Sequence, residues 1–376
     1  MSVFDKDISP RASRPNRGKA IMSVIDADAH VIETEQTWSF MLEEDRRFAP
    51  ELLVSTKNAI EFWRIDDRVF PNSNLGLNVP QESRDLTDVA ARLAHMDSLG
   101  IDIQVLYPSL FLRPLTARAE VELALCRGYN RWLAHIWKLA KGRLRWVVLP
   151  PLRRPDRAIE EINFGKTNGA CGVFMRGFEG ERLLSDSSLF PLYEEAQRLD
   201  LPICVHAGTG NFGYYDQFGL DVFSRFKLPS VGAFNNLIYQ GVPEKFPRLR
   251  WSFVETTSQW IPYAINDLVI RTQAEREFQR KYAGHALSQV RPKERNLVAA
   301  NLLSDNRVYV ACQTTDDFSY VVEYAGEDNL MVGTDYGHAD YSNDIEAIQT
   351  LARSGKISQT LGQKILGDNP RRLYGV

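Results

Sequence analysis

The chain has 376 residues, 44% of them hydrophobic and 25% charged, with 45 basic against 48 acidic side chains and a net charge of −3. These proportions are those of an ordinary globular protein, and they exclude a nucleic-acid or membrane surface built on bulk charge. No apolar stretch reaches the ~20 residues of a membrane-crossing helix, and the N-terminus lacks the apolar core of a signal peptide, so a cytoplasmic protein is expected.

Residues 1–22 are polar and rich in Arg, Ser and Pro, as in RASRPNRGKA, and read as a flexible arm or a clasp on a neighbouring subunit. Residues 23–376 read as one domain. Apolar runs follow at 24–29 (VIDADA), 101–107 (IDIQVLY), 144–149 (LRWVVL), 170–175 (ACGVFM), 202–206 (PICVH), 249–254 (LRWSFV), 307–312 (RVYVAC) and 329–334 (NLMVGT). Several are continuous rather than alternating, as parallel strands buried on both faces require. Helix-length segments lie between them. LTDVAARLAHMDSLG sets Leu86, Val89, Leu93 and Met96 on one stripe and stops at Gly100, and LFPLYEEAQRLDLP and DIEAIQTLARSG are also amphipathic. Strand and helix alternating through eight runs predict an α/β fold, a (β/α)8 TIM barrel. The rival, a doubly wound open sheet, would carry a Gly-rich phosphate loop after an early strand, and the sequence offers none.

Two connections are long. Residues 31–85 follow the first strand and contain EFWRIDDRVF, which predicts a hairpin turning at Asp66-Asp67. Residues 207–245 follow the fifth strand and are rich in Gly and aromatics, as in GTGNFGYYDQFG. Both leave from the face where barrel enzymes build their sites, so they either roof a pocket or form a subunit contact. Cys126, Cys171, Cys204 and Cys312 are not spaced as a zinc knuckle or CxxC pair and read as buried thiols.

The chemistry is concentrated at strand ends. Asp28 and His30 stand two apart in VIDADAH, so they share one face; His206 ends LPICVH and Asp335 ends NLMVGTD. In a closed barrel the first and last strands are neighbours, and these four would converge on one divalent cation, Zn²⁺ ahead of Mn²⁺ or Fe²⁺. Asp26 would lie deeper and orient a ligand. Arg176 ends the fourth strand and either grips a substrate carboxylate or closes an internal salt bridge. His338 in DYGHAD either polarises a substrate carbonyl and shuttles protons or braces the metal loop. His95 and His135 read as packing residues, His285 as exposed. The stripe Tyr214, Tyr215, Phe218, Phe223 and Phe226 reads mostly as aromatic core or subunit contact, with a flat substrate as the alternative partner.

The segments DADAHVIE, VHAGTG, FVETTSQWIPY, GTDYGHAD and ILGDNPRRLYGV together resemble the amidohydrolase-related family of the amidohydrolase superfamily, in order from Val24 to Val376. That family includes metal-dependent decarboxylases of aminocarboxymuconate semialdehyde and of dihydroxybenzoates, hydratases and carbon–carbon bond hydrolases. The resemblance implies a barrel with one catalytic metal at positions matching Asp28, His30, His206 and Asp335, and often a paired subunit. Two departures stand out: Asp28 replaces the usual His or Glu, and Glu255 stands where characterised decarboxylases carry a catalytic His. Met175-Arg176 replace the bridging lysine of binuclear relatives, which favours one metal.

The expected activity is therefore a metal-dependent hydrolase acting on a small cyclic or aromatic-derived acid or amide through a metal-activated water. Asp335 would shuttle the proton, His338 polarise the carbonyl, and Glu255 serve as a second acid or base. The alternative is a non-oxidative aromatic-acid decarboxylase or a hydratase. The only partners expected are a small-molecule substrate and further copies of the chain, as a homodimer or higher oligomer.

Overall fold

The computed structural model describes residues 23–57, 59–72, 74–284, 297–355 and 357–376. The arm 1–22 and His285 lie outside them. Strands are numbered in chain order, counting the short antiparallel pair β8 (Phe178–Glu179) and β9 (Arg182–Leu183) that follows β7. Eight parallel strands form one sheet: β1 (Ile25–His30), β5 (Ile103–Tyr107), β6 (Leu144–Val148), β7 (Ala170–Arg176), β10 (Ile203–His206), β11 (Trp251–Val254), β12 (Val308–Cys312) and β13 (Leu330–Val332). The order in the sheet is the order in the chain. The ring closes where Asp335 N and Thr334 N donate to Asp28 O at 2.9 and 3.1 Å, and His30 N to Tyr336 O at 2.8 Å. Each predicted apolar run is one of these strands, within one or two residues. Their near-complete burial follows from helices covering the outer face and side chains filling the inner one.

The helix predicted around Leu86 starts later, at Val89–Leu99. Leu86 has a left-handed backbone (φ 51°) and cannot extend it. Asp88 caps the helix instead, accepting from Ala90 N and Ala91 N at 2.8 and 3.2 Å, and Gly100 ends it at φ 75°. Its buried face includes Arg92, which a polarity pattern assigns to solvent. The Arg92 guanidinium bonds Gln104 Oε1, Ser83 O and His30 O at 2.7, 3.1 and 3.2 Å and lies 3.6 Å above the Tyr336 ring. A buried cation is tolerable only with such a full set of partners.

The hairpin predicted in the first insertion is present and gains a third strand. β2 (Glu51–Val54), β3 (Glu61–Ile65) and β4 (Arg68–Pro71) are antiparallel, with the turn at Asp66-Asp67 and Asp66 at φ 55°. Segment 207–245 is more regular than its glycines suggest, with helices Phe212–Gln217 and Leu228–Tyr239. The two insertions meet: Arg68 donates to both Asp216 carboxylate oxygens at 2.8 and 2.9 Å and stacks on Phe212. The four cysteines are free and buried, and His95 and His135 pack on Tyr336 and Phe40. Among the described residues no helix is long and apolar enough to cross a membrane.

Candidate metal centre

Asp28 and His30 both face the barrel axis, aided by an irregularity of β1 between Asp26 and Ala29 that re-aims the strand end. His206 comes from the end of β10. Asp335 follows β13 and Glu255 follows β11, both in left-handed backbone (φ 50° and 59°), uncommon for residues with a side chain and typical of functional strand ends. Gly333 makes the approach of β13 possible, since a Cβ there would stand 2.3 Å from Asp28 Cβ.

These side chains converge in two overlapping groups, Asp28–His30–His206–Glu255 and His30–Glu255–Asp335–His338, with ligand atoms of each group within 4.8 Å of one another. The arrangement of the imidazoles is decisive. His30 Nδ1 lies 3.1 Å from Pro108 O and His206 Nδ1 2.9 Å from Ala207 O. A carbonyl only accepts, so each Nδ1 carries the proton and each Nε2 presents a lone pair. Those two Nε2 atoms face each other at 3.0 Å. Asp28 Oδ1 is 3.6 and 3.4 Å from them, Glu255 Oε2 3.7 and 3.2 Å, and Asp335 Oδ1 3.3 Å from His30. Asp28 Oδ1, Glu255 Oε2 and both Asp335 oxygens are buried without a hydrogen bond. Facing lone pairs and orphaned carboxylate oxygens fit a divalent cation bound by nitrogen and oxygen donors.

The electrostatics agree. Burial, then the charges of Asp340 and Asp28, holds the Asp335 carboxyl well above the usual carboxylate range; burial and Asp335 do the same to Glu255. Burial and the neighbouring imidazoles His338 and His206 push His30 well down. Burial also pulls on His206, but Asp28 and Glu255 outweigh it and the group ends raised. Without a cation, protons must be recruited to hold so many acids together.

Sequence reasoning brought Asp28, His30, His206 and Asp335 to one place, and the structure adds Glu255 to the possible ligands. Asp26 orients β13 rather than an imidazole: it accepts from Thr334 Oγ1, Thr334 N and Gln104 Nε2 at 2.6, 2.9 and 2.9 Å, and burial pushes it up to about 6. His338 stacks on His30 with ring centroids 3.7 Å apart. Ser109 Oγ donates to Val31 O and therefore accepts from His338 Nε2, both at 2.7 Å. The bare His338 Nδ1 stands 2.8 Å from Asp335 Oδ1 without the alignment of a hydrogen bond. Burial nevertheless lowers His338.

Arg176 is occupied. Its Nε and Nη2 meet Glu179 at 3.2 and 2.5 Å, and its Nη1 donates to Phe111 O and Arg113 O at 3.1 and 2.9 Å. The internal salt bridge is thus the reading the geometry favours. Arg113, missed in sequence, has a buried Nε with no hydrogen bond and acts electrostatically on His338. Ser109 was missed too, although its place just past the end of β5 is a strand-end signal of the kind that revealed His206.

The sequence profile of the family described as Amidohydrolase matches residues 25–376. A 2-amino-3-carboxymuconate-6-semialdehyde decarboxylase of Dictyostelium discoideum is 22% identical over 298 residues, covering 77% of each chain. An amidohydrolase of Mycobacterium avium subsp. paratuberculosis superposes with a TM-score of 0.72 at 21% identity, covering 95% of this chain and 100% of that one. The 5-carboxyvanillate decarboxylase of Novosphingobium aromaticivorans, crystallised with manganese and 4-hydroxy-3-methoxy-5-nitrobenzoic acid, follows at 0.66 and 18% identity, covering 94% and 96%. A 2,6-dihydroxybenzoate decarboxylase from Rhizobium gives 0.62 at 15%, covering 94% and 99%.

Proposed function

Because the chain belongs to the amidohydrolase family, we propose that it is a metal-dependent, non-oxidative decarboxylase of a hydroxylated aromatic or related cyclic acid. The observation that carries this reading is the pair of imidazole Nε2 atoms facing each other at 3.0 Å among orphaned carboxylate oxygens. Asp28, His30 and His206, with Glu255 and Asp335 beside them, would hold the cation. When bound, it would withdraw charge from a substrate carboxylate and adjacent hydroxyl. The decarboxylases among the relatives and structural neighbours support carboxy-lyase chemistry over the hydrolysis expected from sequence.

The residues divide the work. Asp335 is placed to hold and deliver a proton, since both its carboxyl oxygens are buried and make no hydrogen bond. As the bond between ring carbon and carboxylate breaks and CO2 departs, the electron pair left on that carbon takes this proton. His338, fixed through Ser109 and stacked on His30, places its Nδ1 2.8 Å from Asp335 Oδ1 and so limits where that carboxyl can turn. Arg113 offers a cation for a second anionic group of the substrate. Burial of the cluster keeps bulk water from competing as proton donor.

Hydrolysis is the second reading, favoured by Glu255: a carboxylate rather than an imidazole stands 3.2 Å from His206 Nε2, suited to accept a proton from water. A panel of 2,6-dihydroxybenzoate, 5-carboxyvanillate and cyclic amides, assayed with Zn²⁺ or Mn²⁺ in D2O, separates the two. Decarboxylation predicts CO2 release and one deuterium on the vacated carbon. Ring opening of an amide without CO2 from any acid would reject it in favour of hydrolysis.

A further inference from the structure

A cavity of about 420 Å³ lies beside the metal cluster and is lined by none of its members. It opens at the ends of β6 and β7, against the first turns of the helix Ala119–Leu139. Phe111, Leu125, Leu149, Leu152 and Phe174 provide apolar walls. Phe174 also stands 6.3 Å, centroid to centroid, from the ring of His206, so it divides cavity from cluster. A volume of this size with apolar walls and a few polar groups is that of a small-molecule site.

The polar groups choose the ligand. Three guanidiniums reach the cavity, from Arg153, Arg176 and Arg182. Arg176 is closed by Glu179, as above. Arg182 gives Nε and Nη2 to the carbonyls of Glu179 and Leu152 at 3.3 and 3.2 Å, and the charge of Asp186 acts on it. The Arg153 guanidinium has no hydrogen bond among the described residues; its nearest acid is Glu122, 3.9 Å from Nε. The other Glu122 oxygen is taken by Arg153 N at 2.7 Å. Glu181 also lines the cavity and accepts from Asn211 Nδ2 at 2.9 Å. Three glutamates, Glu122, Glu179 and Glu181, line the cavity with the three arginines, so the formal charges balance, and what distinguishes Arg153 is that its guanidinium N–H groups are uncommitted. A half-exposed guanidinium with free N–H groups above hydrocarbon walls suits a carboxylate attached to a ring.

We propose that this cavity is a second binding site, distinct from the metal centre, for a small ring-bearing carboxylate. The carboxylate meets Arg153, with the Arg182 charge nearby, and the ring lies against Phe111, Leu125 and Phe174. The assignment is independent of the reaction proposed above.

Isothermal titration of the full chain with 1-naphthoate, and with the neutral 1-naphthamide as control, tests it. One equivalent of 1-naphthoate should bind at least tenfold more tightly than the amide, equally well before and after chelation of metal. Arg153→Gln should weaken it tenfold or more; because that side chain makes no hydrogen bond here, thermal melting should be unchanged. Absence of binding at millimolar naphthoate, equal affinity for the amide, loss of binding on chelation, or full affinity in Arg153→Gln would each overturn the assignment.

Discussion

His30 and His206 owe their roles to their Nδ1 partners: each backbone carbonyl fixes a tautomer and so fixes what Nε2 can bind. The spacing that made Asp28 and His30 visible in sequence carries no information about those carbonyls. Asp335 is held through its own backbone, by Asp28 O and Asn343 Nδ2, so its carboxyl can be altered without moving the chain. Asp335→Asn should therefore keep the parent's fold, read by circular dichroism, while losing at least about 100-fold in turnover; retention of turnover would remove it from the mechanism. Glu33 gives a pH test. Burial pushes its carboxyl from 4.5 up to about 7, although it accepts from Ser109 N and Leu110 N. Below pH 4.5 both folded and unfolded chains hold this proton. Between 4.5 and 7 only the folded chain does, so stability falls as pH rises, by roughly 3 kcal/mol at most. The Tm of the chelated parent should fall relative to Glu33→Gln across that window; a constant difference would refute the assignment.

At the scale of elements, the first insertion does more than cover a mouth. Residues 74–78 lie directly on the loop that carries Asp335 and His338. Gly76 N donates to Gly337 O at 2.8 Å, Asn74 bonds Ala339 N and Asp340, and Arg84 reaches Gly76 O. A Cβ at Gly76 would stand 2.7 Å from His338 O and 2.9 Å from Gly337 O, both backbone atoms that cannot yield without moving the loop. Gly76→Ala should cost about 1–3 kcal/mol and weaken metal binding at least tenfold, read by melting and by metal titration. Unchanged metal affinity would show that the loop tolerates displacement. The hairpin itself was legible because two Asp between β-rich runs demand a turn. Its pairing with segment 207–245 through Arg68 and Asp216 was not, since neither residue signals a partner 148 positions away.

At the scale of the molecule, the barrel brings acids together that an open chain keeps apart. Asp28, Glu255 and Asp335 are drawn from β1, β11 and β13, and their mutual repulsion is the cost of closing the ring without a cation. Chelation should therefore lower the Tm by several degrees, and Zn²⁺ or Mn²⁺ should restore it in proportion to the logarithm of free metal. A Tm indifferent to chelator and to added metal would argue against a bound cation. The C-terminus contributes to closure, as Tyr374 donates to Ala27 O and shares a hydrogen bond with Tyr107, both at 2.8 Å.

The sequence by itself marked the strands, their order and the four candidate ligands Asp28, His30, His206 and Asp335, which the structure brings together with Glu255 and His338, also singled out in sequence. Each of these is a local pattern: a run of buried residues, a two-residue spacing, a polar group at a strand end. Tertiary structure alone decided the rest. It buried Arg92 beneath His30, engaged Arg176 with Glu179, turned Glu255 inward through a left-handed backbone, and set Arg153 over an apolar cavity. Those outcomes depend on which distant backbone atoms lie within about 3 Å of a side chain, a property of the closed ring and not of any segment of it.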